Sequence, residues 1–114
     1  MEIFTQNFHS YSIMKLHGEI DLYNVDELKN EFNSLMAKKI YNIGIDLSDV
    51  AYIDSSGLGA FLSVIKEIRN NDGKMLLFNL SESVRKILNL TRLTSFFDIS
   101  ESAEQIEHVF EGSV

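Results

Sequence analysis

Strand-like and helix-like segments alternate along this chain, and their order limits its fold more than any other feature. Residues 43–47 alternate between apolar and small or polar side chains, and residues 75–78 are apolar throughout. Each stretch is followed by a segment whose apolar residues lie three or four apart, as on one face of a helix. Strands that alternate with helices form sheets with parallel pairs, because each helix crosses back over the sheet. The order ββαβαβαβα therefore predicts an α/β fold with a mixed sheet of about five strands and about four helices.

The predicted strands differ in how they should pair. Residues 2–8 and 11–17 are short apolar-rich segments separated by His9 and Ser10, which is the spacing of an antiparallel hairpin. The later strands, at residues 42–47, 75–78 and 97–99, are separated by helical segments and should pair in parallel. Residues 75–78 are apolar on both faces, which is typical of a strand inside a parallel sheet.

The predicted helices carry apolar stripes and start signals. A capping-box pattern of Asn24 with Glu27 places the first helix start near Asn24. Ser81 should cap the third helix, and Ser102 with Gln105 the fourth. Residues 70–73 should close the second helix. The stripes consist of Val25, Leu28, Phe32, Leu35 and Met36; Leu58, Phe61, Leu62, Ile65 and Ile68; Val84, Ile87 and Leu88; and Ala103, Ile106, Val109 and Phe110.

Length and charge narrow the class of protein. A chain of 114 residues without repeats or linker-like stretches is expected to form one domain, residues 1–114. Ten basic and seventeen acidic residues give a net charge of −7, which argues against nucleic acid or an anionic membrane as a partner. The chain has no cysteine, its first ten residues lack the pattern of a signal peptide, and no apolar run could span a membrane. We expect a cytoplasmic protein.

The most unusual stretch is D-S-S-G-L-G at residues 54–59. A serine nucleophile needs a base within hydrogen-bond reach, and the three histidines, His9, His17 and His108, are all distant in sequence. The G-x-S-x-G pattern of hydrolase nucleophiles is also missing. We therefore predict that the chain has no catalytic residue and is not an enzyme.

Metal and nucleotide sites are not predicted either. Asp46, Asp49 and Asp54 lie close in sequence, but they follow no calcium-loop pattern and have no histidine pair at helical spacing nearby. The glycines of residues 54–59 match neither phosphate-binding loop pattern. We expect no cofactor and no bound metal.

Two roles remain for the adjacent serines. A hydroxyl in front of an amphipathic helix commonly caps it, with Gly57 relieving a tight turn and Gly59 allowing close packing on a strand. One cap needs only one hydroxyl, whereas the sequence has two. The motif also follows a strand, and functional groups gather at the carboxyl ends of parallel strands. A phosphate attached there would be tolerated by the positive end of the helix dipole.

Several stretches together resemble the STAS domain, and in particular the bacterial anti-sigma factor antagonists. Residues 44–50, G-I-D-L-S-D-V, and residues 53–59, I-D-S-S-G-L-G, are similar to the signature of that family. Residues 18–21, G-E-I-D, are similar to its turn after the second strand. Gly73 with residues 75–78 is similar to its fourth strand, and residues 84–88 to its third helix.

The resemblance implies partner switching. In that family the first hydroxyl residue after the motif aspartate is phosphorylated, which corresponds to Ser55 here and leaves Ser56 as the helix cap. The unphosphorylated protein binds an anti-sigma factor with serine kinase activity and frees a sigma factor. Phosphorylation prevents binding, and a serine phosphatase reverses it. The alternative is a STAS scaffold or small-molecule sensing subunit that is not phosphorylated.

The expected partner-binding surface combines two loops. We expect Tyr23 and Leu58 to supply apolar contact area, although Leu58 could belong to the core and Tyr23 could pack on the first helix as a hydrophobic staple. Arg92 stands where the family often has glycine, and a left-handed helix end there would be strained by roughly 1 kcal/mol. The surface residues are Glu19, Asp21, Leu22, Tyr23 and Asn24 from one loop and Asp54, Ser55, Ser56, Gly57, Leu58 and Gly59 from the other.

Overall fold

The computed structural model describes residues 1–111, so residues 112–114 of the predicted domain lie outside the described residues. Over residues 1–111 the order of elements is the predicted ββαβαβαβα. The elements are β1 Glu2–Asn7, β2 Ser12–Ile20, α1 Val25–Ala37, β3 Asn42–Ile53, α2 Ser55–Asn70, β4 Lys74–Phe78, α3 Glu82–Leu90, a 3₁₀ turn Thr94–Phe96, β5 Asp98–Ser100 and α4 Ala103–Glu111.

The strands of this part of the chain form one mixed sheet in the order β1-β2-β3-β4-β5. β1 and β2 pair antiparallel, while β2 with β3, β3 with β4, and β4 with β5 pair in parallel. The mixed sheet with an initial hairpin is thereby confirmed, and so is the interior position of β4.

β3 is much longer than the predicted strand at residues 42–47. Its first five residues pair with β4, the last of these pairs joining Asp46 to Phe78. Beyond them β3 continues to Ile53 beside β2, which itself continues to Ile20 rather than ending at His17. The register shifts near Gly18, whose φ of 104° suits glycine alone. The two strands therefore end together, and Ile20 pairs with Ile53 directly before the motif at residues 54–59.

One face of the sheet carries the main core. The stripes of α1 and α2 pack there together with Val84 and Leu88 of α3. All five stripe residues predicted for α1 are buried, which confirms that stripe. In the predicted α2 stripe Leu62 is only partly buried, while the other four residues are buried.

The opposite face is covered in part by α4. A smaller cluster there joins Ile106 to Tyr11, Leu76 and Phe78. Gly44 makes this approach possible, because a Cβ at that position would lie 3.1 Å from Cγ2 of Ile106. Of the predicted α4 stripe, Ile106 is buried and Phe110 half-buried, but Ala103 and Val109 are exposed.

Three helices end in the same way without glycine at the left-handed position. Lys39, Asp72 and Arg92 follow α1, α2 and α3 with φ of 62°, 60° and 60°. At each end, hydrogen bonds reach back to the last turn as in a Schellman motif, for example from Leu93 N to Leu88 O at 3.0 Å. Arg92 therefore adopts the strained conformation considered from the sequence. Gly73 has another role, since a Cβ there would lie 2.0 Å from the carbonyl oxygen of Tyr41.

The predicted serine caps of α3 and α4 are confirmed. Ser81 Oγ accepts a hydrogen bond from Val84 N at 3.2 Å and donates one to the Val50 carbonyl at 2.6 Å. Ser81 thus fastens the start of α3 to the extended part of β3. Ser102 Oγ accepts a hydrogen bond from Gln105 N at 3.4 Å.

Candidate functional site

The first turn of α2 is capped by Asp54, so the prediction that Ser56 caps this helix is wrong. Asp54 has extended backbone, and its Oδ1 accepts hydrogen bonds from Ser56 N at 2.9 Å and Gly57 N at 3.1 Å. Both serines already lie inside the helix, at its first two positions. A carboxylate at the cap also complements the positive end of the helix dipole.

Asp54 also joins the two loops that the sequence predicted to form one surface. Its Oδ2 accepts a hydrogen bond from Leu22 N at 3.2 Å, and its backbone N donates to Ile20 O at 3.0 Å. The loop after β2 is therefore held against the start of α2. The structure brings these predicted residues together.

The loop between β2 and α1 is shaped by its own side chains. Asn24 is the N-cap residue of α1, so the predicted helix start near Asn24 is confirmed, although its capping box is not formed. Asn24 makes no cap hydrogen bond to α1. Its Oδ1 accepts from Asp21 N at 2.9 Å, and its Nδ2 donates to Glu19 O at 2.8 Å. Asp21 Oδ1 accepts in turn from Tyr23 N at 2.9 Å. Both polar side chains are used within the turn, as asparagine and aspartate commonly are.

This loop presents two apolar side chains to solvent. Tyr23 is 95% exposed and Leu22 is 68% exposed. The alternative reading of Tyr23 as a staple packed on α1 is therefore wrong. A fixed turn that exposes a leucine and a tyrosine side by side is suited to contact with another protein.

The two serines have unused hydroxyls. Ser55 is exposed and Ser56 is half-buried. Within residues 1–111, neither hydroxyl takes part in a hydrogen bond, although their backbone groups belong to α2. Ser55 thus offers an accessible hydroxyl at the carboxyl end of β3.

The roles predicted for the two motif glycines are wrong. A Cβ on Gly57 would lie 2.7 Å from both Ile20 Cγ2 and Ile53 Cγ1, so Gly57 is the residue that allows close packing. A Cβ on Gly59 would meet nothing within 4 Å. Gly57 is buried and Gly59 exposed because the strand ends lie under the first turn of the helix.

A shallow apolar groove lies beside Ser55, and sequence reasoning missed most of it. Leu58 is only 6% exposed, which supports its core role, but it also lines this groove. The groove has a volume of about 260 Å³. Leu90, which is 74% exposed, was detectable as an apolar residue outside the α3 stripe. The lining residues are Tyr52, Ile53, Asp54, Ser55, Leu58, Ile87, Leu90 and Thr91.

The histidines and the other acids lie elsewhere. His9 is in the β1–β2 turn, at the opposite end of β2 from Ile20, and His108 is on α4. His17 Nδ1 lies 3.7 Å from Asp49 Oδ2, which also lies 3.4 Å from Lys15 Nζ. Asp46 accepts a hydrogen bond from Ser48 N at 3.0 Å.

No group of three or more potential metal-ligating side chains occurs in the part of the chain that the structure describes. None of its helices is long and apolar enough to cross a membrane.

This fold and this motif together define a family. The STAS domain model matches residues 3–106, which include the motif at residues 54–59 and all five strands apart from the first residue of β1. The chain belongs to the STAS domain family.

Relatives and solved structures agree with that assignment. The chain is 29% identical over 91 residues to an anti-sigma-B factor antagonist of Staphylococcus epidermidis, covering 80% of this chain and 84% of that one. A Thermotoga maritima protein solved as a candidate anti-sigma factor antagonist is 25% identical, with a TM-score of 0.87 over 95% of this chain and 93% of that one. The Bacillus cell fate determinant SpoIIAA, solved in its phosphorylated form, shares the fold at 21% identity, with a TM-score of 0.74 over 95% of this chain and 99% of that one.

Proposed function

We propose that this chain is an anti-sigma factor antagonist controlled by phosphorylation of Ser55. In the unphosphorylated state it binds an anti-sigma factor that is also a serine kinase, and so releases a sigma factor. The observation that carries the proposal is the exposed Ser55 hydroxyl beside the fixed loop that presents Leu22 and Tyr23. The name of the staphylococcal relatives supports the same class of function.

The position of Ser55 explains how a phosphate could change binding without changing the fold. Ser55 is exposed, and its hydroxyl supports no other group in residues 1–111. The cap of α2 is provided by Asp54, so modification of Ser55 leaves the cap in place. A phosphoryl group adds about −1.5 to −2 charges. Placed beside the Asp54 carboxylate, that charge alters the surface that a partner must contact.

The chain is proposed to be a substrate of the kinase and not an enzyme itself. The two carboxylate oxygens of Asp54 accept hydrogen bonds from the backbone N–H groups of Leu22, Ser56 and Gly57. A carboxylate committed in this way is poorly suited to take the proton of Ser55 during phosphoryl transfer. The base and ATP are therefore assigned to the kinase, and a serine phosphatase would restore the free hydroxyl.

The proposed contact surface consists of the predicted residues, but some of them contact the partner and others hold the surface in shape. Leu22 and Tyr23 provide exposed apolar area, and Glu19 provides an exposed carboxylate. Asp21, Asn24 and Asp54 fix the backbone of the loop. Ser55, Ser56 and Gly59 lie along the start of α2, whereas the buried Gly57 and Leu58 set its distance from the strands.

Phosphorylation is tested with the cognate kinase. This kinase is sought among the products of the genes adjacent to the gene for this chain, as an ATP-binding protein of the histidine-kinase-like type. The purified chain is incubated with this kinase and ATP, and the modified residue is located by mass spectrometry. We expect one phosphate on Ser55, none on the Ser55→Ala variant, and normal modification of Ser56→Ala. Kinase binding without phosphorylation of Ser55 would favour the unphosphorylated scaffold instead.

A charge at position 55 should weaken binding while the fold stays intact. We expect Ser55→Asp to reduce affinity for the kinase by tenfold or more, about 1.4 kcal/mol, with little change in melting temperature. Ser63→Asp is the matched control, because Ser63 is exposed on the same helix two turns further on. Calorimetric titration measures the affinity, and thermal unfolding by circular dichroism measures stability. Equal affinities for the two aspartate variants would contradict the switch.

A further inference from the structure

The groove beside Ser55 exposes apolar surface that the core does not require. Leu90 lies two residues after the buried Leu88, so it falls outside the stripe through which α3 packs. Tyr52 is 46% exposed at the end of β3, two residues after the buried Val50. Neither side chain belongs to the main core, and both leave apolar area exposed to water.

The groove is held open by fixed parts of the fold. Ser81 fastens the start of α3 to the Val50 carbonyl of β3, and Val84 and Leu88 anchor the helix in the core. The end of α3 and the end of β3 therefore line the same groove, together with Leu58 of α2. The groove is thus preformed and does not depend on a mobile loop.

The groove is continuous with the proposed partner surface. Ser55 and Asp54 line one side of it, and Asp54 also binds the loop that carries Leu22 and Tyr23. Leu22, Tyr23, Tyr52 and Leu90 are exposed large apolar side chains from the β2–α1 loop, β3 and α3. A partner that covers Ser55 would also cover the mouth of the groove.

We propose that the groove receives an apolar side chain of the anti-sigma factor, and that the phosphate on Ser55 acts by making the rim of this groove anionic. This inference rests on the proposed function. Inserting an apolar side chain removes water from the groove, and a charged phosphoryl group at its rim resists that loss of water. Leu90 and Tyr52 are then positions that determine partner affinity, although they lie outside the phosphorylation motif.

Variants of Leu90 test the groove without touching Ser55. We expect Leu90→Ser to weaken binding of the cognate kinase by about tenfold or more, because most of a leucine side chain would otherwise be buried on binding. Leu90→Met keeps the apolar area and should bind within about threefold of the unchanged chain. Phe96→Ser is the matched control, since Phe96 is 56% exposed in the turn before β5 and does not line the groove.

Leu90→Glu tests the role of charge. It places a carboxylate at the groove while Ser55 stays unmodified, so it should reduce binding by a factor similar to that of Ser55→Asp. Tyr52→Ser, on a different element, should also weaken binding, and circular dichroism checks that each variant is folded.

The outcomes separate the two proposals. Loss of binding in Leu90→Ser, Leu90→Glu and Tyr52→Ser, but not in Phe96→Ser, supports the groove. Normal binding by those three variants together with loss of binding in Ser55→Asp would overturn the groove and leave the switch standing. Failure of the unmodified chain to bind the kinase would contradict both the proposed function and the groove.

Discussion

At the start of α2, one carboxylate and two hydroxyls stand close to the same free N–H groups. Asp54 accepts hydrogen bonds from the N–H groups of Ser56 and Gly57 because it is the only one of the three residues that precedes the helix. Short polar residues are the ones that commonly cap a helix, and Asp54, Ser55 and Ser56 are all of that kind. Residue type alone therefore does not say which of the three is the cap. The choice among the three depends on where the helix begins, and that is set by the end of β3 at Ile53.

Capping by Asp54 can be measured against capping by serine. Asp54→Ala should lower the free energy of unfolding by about 1–2 kcal/mol, because two N–H groups of the first turn lose their acceptor. Ser56→Ala should change it by less than about 0.5 kcal/mol, since its hydroxyl bonds nothing in residues 1–111. Urea denaturation gives both values. A larger loss from Ser56→Ala would restore the serine cap.

Arg92 is a second residue whose backbone departs from what its side chain favours. Its φ of 60° is costly for a residue with a Cβ, so Arg92→Gly should stabilise the protein by up to about 1 kcal/mol. Arg85→Gly, at an exposed position inside α3, should instead destabilise by about 1 kcal/mol. Both are measured by urea denaturation, and equal effects of the two variants would argue against strain at Arg92.

At the scale of elements, strand and helix types were predictable, and so were the starts of α1, α3 and α4, but the ends of β2 and β3 were not. Periodicity placed the stripes of α1, α2 and α3 because it reflects which side chains face the sheet, but it placed the α4 stripe only in part, since Ala103 and Val109 are exposed. β2 and β3 each extend beyond their predicted ends because they pair with one another past the end of β4. Residues 47–53 include exposed positions at Ser48, Asp49, Ala51 and Tyr52, so their sequence lacks the alternation that marks a half-buried strand.

The packing of α2 on these strand ends predicts opposite effects for its two glycines. Gly57→Ala should destabilise by about 1–3 kcal/mol, because the new methyl group overlaps Ile20 and Ile53. Gly59→Ala should stabilise by about 0.5–1 kcal/mol, because its Cβ meets open space and alanine favours the helix. Thermal and urea unfolding of the pair check this. A stabilising Gly57→Ala would show that α2 lies further from the strands than described.

In the whole molecule, the two faces of the sheet are covered unequally. One face lies under α1, α2 and α3, whereas α4 covers part of the other through a small cluster around Ile106. Tyr11 extends this cluster by stacking on Phe110, with ring centroids 5.2 Å apart. The attachment of α4 therefore depends on a few side chains.

A single truncation should show this dependence. Ile106→Ala should destabilise by about 2–4 kcal/mol, since the side chain is fully buried beside Gly44 and Phe78. Val109→Ala should change stability by less than about 1 kcal/mol, because Val109 is 39% exposed. The two variants are compared by urea denaturation. Similar small losses would mean that α4 contributes little to the fold.

The sequence by itself determined the order of elements, the antiparallel start of the sheet, the main stripes, and the position of D-S-S-G-L-G after a strand. These features depend on local periodicity and on short-range turn chemistry, which are written in neighbouring residues. The tertiary structure decided that Asp54 caps α2 and holds the loop of Leu22 and Tyr23. It also decided that Gly57 is the close-packed glycine and that Leu90 reaches the side of Ser55. Three of the contacts involved join residues more than thirty positions apart along the chain: Asp54 with Leu22, Gly57 with Ile20, and Leu90 with Ser55 across the groove. No local pattern encodes which distant partner a side chain meets.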